Sequence, residues 1–68
     1  MNFSIEYEQE EDGRWIAEVP ELPGALAYGS TAEEAMAKAE ALARRALAER
    51  LETFEIHPIP ISISFAAA

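Results

Sequence analysis

The sequence predicts an α+β fold, a single two-layer domain in the order β-β-β-α-β: a four-stranded, mostly antiparallel sheet with one helix packed on one face. Three observations predict it. Apolar residues alternate with polar ones over 3–7 and again over 15–19, they recur at three- and four-residue steps from Ala32 to Leu47, and the alternation returns from Ile59 to Phe65. The chain of 68 residues makes one domain, 1–68, with a thinly stocked core.

Phe3, Ile5 and Tyr7 alternate with Ser4, Glu6 and Glu8, the period of a strand with one buried face. Trp15, Ala17 and Val19 repeat it. Gly13 can take the left-handed conformation that a tight hairpin needs. If the odd-numbered apolar residues of both strands share a face, opposed residues sum to an even number. That favours the three-residue loop Glu11-Asp12-Gly13 with a glycine bulge, pairing Ile5 with Val19 and Tyr7 with Ala17. Pro20 and Pro23 remove backbone donors and Gly24 lets the chain turn, so 20–24 is predicted as a loop and Ala25–Tyr28 as a short third strand.

Ser30 and Glu33 have the capping-box spacing, which starts a helix at Thr31. Ala32, Ala35, Met36, Ala39, Leu42, Ala43, Ala46 and Leu47 trace its apolar face through about residue 50. Glu34 with Lys38 and Glu40 with Arg44 are i,i+4 pairs, Glu33 and Glu34 suit the helix N-terminus, and Arg50 suits its C-terminus. Ile59, Ile61, Ile63 and Phe65 form the fourth strand, whose start belongs at an edge because Pro58 and Pro60 cannot donate to a ladder. Ala66 to Ala68 read as a frayed tail. The helix crosses the face carrying Ile5, Tyr7, Trp15, Val19 and Ile61, and a right-handed crossover lays the fourth strand parallel to the first and beside it.

Thirteen acidic against five basic side chains give a net charge of −8, which repels nucleic acid and anionic membranes and attracts a basic partner. No segment reads as a transmembrane span, and Met1 leads into a strand pattern rather than a secretory signal, so the expectation is a cytoplasmic protein. Without cysteine there is no disulfide staple and no thiolate metal site. The extra stability a small domain needs is then expected from homo-oligomerisation.

The even hairpin register sets Glu6 opposite Glu18 on the exposed face, with Glu8 two residues away. Like charges opposed across strands cost stability, so keeping them points to a cationic surface that they meet, or to a solvated face. Glu10-Glu11-Asp12 lacks the spacing of a calcium loop. His57, beside Pro58 in a connector, has no nucleophile or oxyanion donor arranged around it. The cations Lys38, Arg44 and Arg45 on the outer helix face are diluted by Glu34, Glu40 and Glu49 and do not form a phosphate-binding stripe. Ala37, Ala41 and Ala48 on that side serve helix propensity or self-association. No catalytic residue, metal ligand or cofactor site is assigned, and the reading is that of a protein that is not an enzyme.

Val19-Pro20-Glu21-Leu22-Pro23-Gly24 and Gly29-Ser30-Thr31-Ala32-Glu33-Glu34-Ala35, with Gly13-Arg14-Trp15 before them, resemble the core of the HicB antitoxin family in order and spacing. The resemblance spans residues 3–65, with its specific matches in 12–39. It implies the β-β-β-α-β order of a partial ribonuclease-H-like fold. It further implies a place in a toxin–antitoxin system, in which the protein binds and masks a basic HicA-type toxin that cleaves messenger RNA. Many HicB antitoxins continue into a DNA-binding domain, and this sequence ends at Ala68, so the resemblance is to a small stand-alone form and autorepression is not carried over.

The function expected from these readings is that of an acidic HicB-like antitoxin, with Glu6, Glu8 and Glu18 on the sheet and Glu21, Leu22 and Pro23 in the loop as partner-binding residues. The alternative is an orphan HicB-like oligomeric protein of uncharacterised structural or binding role, without a toxin. A third reading, a metal-dependent nuclease using Glu6 and Glu18, is opposed by the lack of aspartate on any predicted strand and by the acidic field.

Overall fold

The structure is a computed structural model that describes residues 2–58 and 62–67. It contains β1 (Asn2–Gln9), β2 (Trp15–Glu18), β3 (Leu26–Gly29), α1 (Ala32–Glu52) and β4 (Ser62–Ala67). A small α+β domain results, in which α1 lies on one face of an antiparallel sheet of β1, β2 and β3.

The β1–β2 hairpin has the even register that the apolar alternation dictates, with Tyr7 opposite Ala17 and Glu6 opposite Glu18. Its turn is a three-residue loop. The Gly13 amide donates to the Glu10 carbonyl at 3.0 Å, the Glu10 amide to the Arg14 carbonyl at 2.7 Å, and Gly13 sits at φ +92°. That is a type I turn closed by a left-handed bulge residue. Asp12 braces it by accepting from the Arg14 backbone amide at 3.0 Å and from its guanidinium at 2.7 Å. The Arg14 backbone amide first, and then its side chain, hold the Asp12 carboxyl below its ordinary pKa.

Between β2 and β3 the chain makes two proline-led turns that share Leu22. The Leu22 amide donates to the Val19 carbonyl and the Ala25 amide to the Leu22 carbonyl, each at 3.0 Å. Pro23 followed by Gly24 at φ +91° supplies the proline and the positive φ that a type II turn requires. The pair of turns rotates Leu22 inward, where it is 1% exposed. β3 begins one residue later than the sequence predicts, because Ala25 is spent closing the second turn.

The helix cap also lies one residue on. Thr31, not Ser30, is the N-cap: its hydroxyl accepts from the Glu34 amide at 3.1 Å. The Ser30 hydroxyl donates instead to the Glu34 carboxylate at 2.9 Å, and Lys38 donates to the other oxygen at 2.9 Å. These two partners, Lys38 before Ser30, hold the Glu34 carboxyl below its ordinary pKa. At the far end the Glu55 amide reaches the Arg50 carbonyl and the Phe54 amide the Leu51 carbonyl, the two bonds of a Schellman motif. Phe54 occupies its left-handed position, at φ 60°.

The core lies between the inner sheet face and α1. Phe3, Ile5, Ala17, Val19, Leu22 and Ala25 are buried against Ala35, Ala39, Ala43 and Leu47, with Tyr7, Trp15, Met36, Leu42 and Ile63 packed around them. Tyr7 and Trp15 meet with ring centroids 6.3 Å apart. Alanine dominates the buried helix stripe, so α1 can approach the sheet closely.

The backbone of β4 runs parallel to β1, Asn2 facing Ser62 and Tyr7 facing Ala67, and the strand order is β3-β2-β1-β4. Ala66 and Ala67, expected as tail, are therefore placed in a strand. Ile59, Pro60 and Ile61, where the sequence starts the fourth strand, lie outside the described residues.

Candidate functional site

With α1 on the inner face, no element among the described residues forms a layer over the outer face of β1–β3. Strand parity decides what it carries. The even-numbered side chains of β1 and β2 point outward, and the registers align them into the rows Glu6–Glu18–Leu26 and Glu8–Ile16–Tyr28. Three of the residues singled out from sequence, Glu6, Glu8 and Glu18, are thus brought onto one surface, all exposed.

The same rows hold three residues that the sequence reading did not single out. Ile16 is half-buried, and Leu26 and Tyr28 are each 42% exposed. The β1 side of the face is acidic and the β3 side apolar. A shallow depression of about 150 Å³, lined by Glu6, Glu8, Ile16 and Glu18, marks the border. The guanidinium of Arg14 lies 4.7 Å from the centre of the Tyr28 ring and covers the hairpin end of the apolar half.

Among the described residues, the ion pairs are Arg14–Asp12, Lys38–Glu34 and Arg44–Glu40, so none engages Glu6, Glu8 or Glu18. Opposed carboxylates without a cation carry repulsion that a positive partner relieves. The loop residues divide. Glu21 reaches the face, its carboxylate 3.5 Å from the Ser4 hydroxyl, and Pro23 is exposed at the loop surface. Leu22 does not belong with them: its side chain is core, and the partner role assigned to it from sequence is corrected. Its neighbours Pro20, Glu21, Pro23 and Gly24 are exposed, and the shared turn alone inverts Leu22.

His57 is exposed in the connector after α1. Among the described residues no three histidine, aspartate or glutamate side chains are grouped to hold a metal ion. Nor is any helix among them long and apolar enough to cross a membrane. What the outer face can do chemically is bind: carboxylates for a cation, and beside them an aliphatic and aromatic surface for apolar groups.

No protein-family model, no curated protein and no solved structure matches the chain.

Proposed function

We propose that this protein is a HicB-like antitoxin that binds a small basic HicA-type toxin in the cytoplasm and masks its RNA-cleaving site. The observation that carries the reading is the uncovered sheet face, where Glu6, Glu8 and Glu18 gather without a cationic partner among the described residues. The two motifs that carry the resemblance support it. They build turns and caps with definite roles: Leu22 is turned inward by Pro20 and Pro23-Gly24, and Gly29-Ser30-Thr31 leads the sheet tightly into α1. We assign the whole arrangement, with β4 completing the sheet beside β1, to the partial ribonuclease-H-like fold of that family. The protein acts by binding, not by catalysis and without a cofactor.

A second reading, an oligomeric HicB-like protein without a toxin, is favoured by Phe54, which is 90% exposed at the end of α1. Affinity capture of the tagged protein from its native lysate, at low and high salt, separates the two. The antitoxin reading expects a small basic protein that elutes as salt rises, cleaves RNA once freed, and stops when this chain is added back. Recovery of the chain alone, as a stable oligomer, overturns it in favour of the second reading.

A further inference from the structure

The acidic half of the outer face does not explain the apolar half. A solvated strand face needs no Ile16 opposite Tyr28 with Leu26 two residues along the same strand, and Leu26 and Tyr28 are two of the three large hydrophobic side chains that are exposed among the described residues. Apolar groups gathered on an unlayered face and rimmed by charge mark an interaction surface. Its charge selects the occupant. Phosphate backbones are repelled by Glu6, Glu8 and Glu18, and a second copy set face to face would bring carboxylates onto carboxylates or bury them against Leu26 and Tyr28 unpaired, which is costly.

We propose that the outer face of β1–β3 docks a basic amphipathic segment of a protein partner. Aliphatic side chains of that segment lie on Ile16, Leu26 and the part of Tyr28 that the Arg14 guanidinium leaves open, and an adjacent arginine or lysine enters the depression between Glu6, Glu8 and Glu18. A long cationic side chain suits this border because its stem packs on Ile16 while its head reaches the carboxylates. A planar guanidinium can also take two carboxylate oxygens at once. The inference rests on the antitoxin reading only in equating that partner with the toxin; the surface can be tested without it.

The test is an NMR titration of the labelled protein with synthetic amphipathic helical peptides of leucine and arginine, of leucine and glutamate, and of serine and arginine. The leucine–arginine peptide is expected to shift Glu6, Glu8, Ile16, Glu18, Leu26 and Tyr28 and to leave the outer side of α1 unmoved. The other two peptides bind far more weakly, since each lacks one half of the match. The variants Glu6→Gln/Glu18→Gln and Leu26→Ser/Tyr28→Ser are each expected to weaken binding roughly tenfold or more. These are exposed positions, and an unchanged far-UV spectrum and unfolding midpoint confirm that each variant folds. Equal binding of all three peptides, shifts confined to α1, or variants that bind as the wild type overturn the proposal. So do shifts of this face on raising the protein concentration alone, which identify a second copy as the occupant. A toxin captured equally well by both variants overturns the surface and leaves the antitoxin reading standing; specific peptide binding with no toxin recovered does the reverse.

Discussion

Gly29 and Ala35 stand so close that a Cβ added to the glycine would lie 2.6 Å from the Ala35 amide nitrogen. Glu34 Cβ and Ala35 Cα would lie at 3.0 and 3.1 Å. Unlike Gly13 and Gly24, Gly29 has no positive φ, so space rather than backbone conformation requires the glycine. Its role is to let the first turn of α1 come down onto the end of β3, the step that holds helix and sheet together at that end.

Gly29→Ala is therefore expected to destabilise the domain by about 1–3 kcal/mol, the usual range for overpacking against atoms that cannot move aside. Urea unfolding measures it. A loss below a few tenths of a kcal/mol contradicts the close approach.

Leu22 provides the sharpest contrast within one loop. Leu22→Ala removes a side chain that is 1% exposed and is expected to cost about 2–5 kcal/mol. Pro23→Ala, one residue on, releases only the turn's preset φ and is expected to cost about 0.4–1 kcal/mol. Equal effects in the two variants would show that Leu22 is not part of the core.

These two positions also show what was legible in the sequence and what was not. Parity limited the β1–β2 register to even sums, because Phe3, Ile5, Tyr7, Trp15, Ala17 and Val19 share a face only then, and Gly13 favoured the three-residue turn that selects the observed one. Leu22 was not legible: prolines and a glycine mark a loop, and a loop is read as surface, whereas two turns meeting at one residue turn that residue inward. The cap slipped by one because Ser30 and Thr31 are both good caps and Glu33 and Glu34 both suitable partners. Of the site, the acidic half followed from the register. The apolar half depends on how the double turn aligns β3 with β2, and the alternation of Leu26 and Tyr28 was the signal that could have found it.

Thr31→Ala is expected to cost about 1 kcal/mol, the loss of an N-cap, and Ser30→Ala less, because Ser30 bonds only a side chain. Thermal unfolding of the two variants decides between these caps. A larger loss at Ser30 contradicts the cap geometry.

Glu34 makes part of this cap sensitive to pH. Its pKa is lowered in the folded state by Lys38 and then by Ser30, so its contribution is present above the ordinary carboxylate range and is lost as pH falls through the folded-state pKa. Glu34→Gln is expected to remove that part of the acid dependence while leaving the Asp12 component, which has the same sign. Stability measured against pH, with wild type and variant losing the same amount below the carboxylate range, would contradict it.

Phe54 holds a left-handed conformation that disfavours a side chain with a Cβ, and it is 90% exposed, so little packing offsets the strain. Phe54→Gly is expected to stabilise the isolated domain by about 1 kcal/mol, because glycine is the residue this helix end favours. A destabilised variant would show that the ring makes a stabilising contact, as a second copy at that helix end would provide.

We propose that this chain masks a basic RNA-cleaving protein with the outer face of its sheet. The most direct measurement is RNA cleavage by whatever small basic protein is captured from the native lysate with the tagged chain, freed from it and titrated with wild type and with Glu6→Lys/Glu18→Lys. The account predicts that cleavage stops once wild type reaches equivalence with the partner and persists with the charge-reversed variant, the difference shrinking as salt rises. Cleavage unaffected by the wild-type chain, or suppressed equally by the variant, would contradict it.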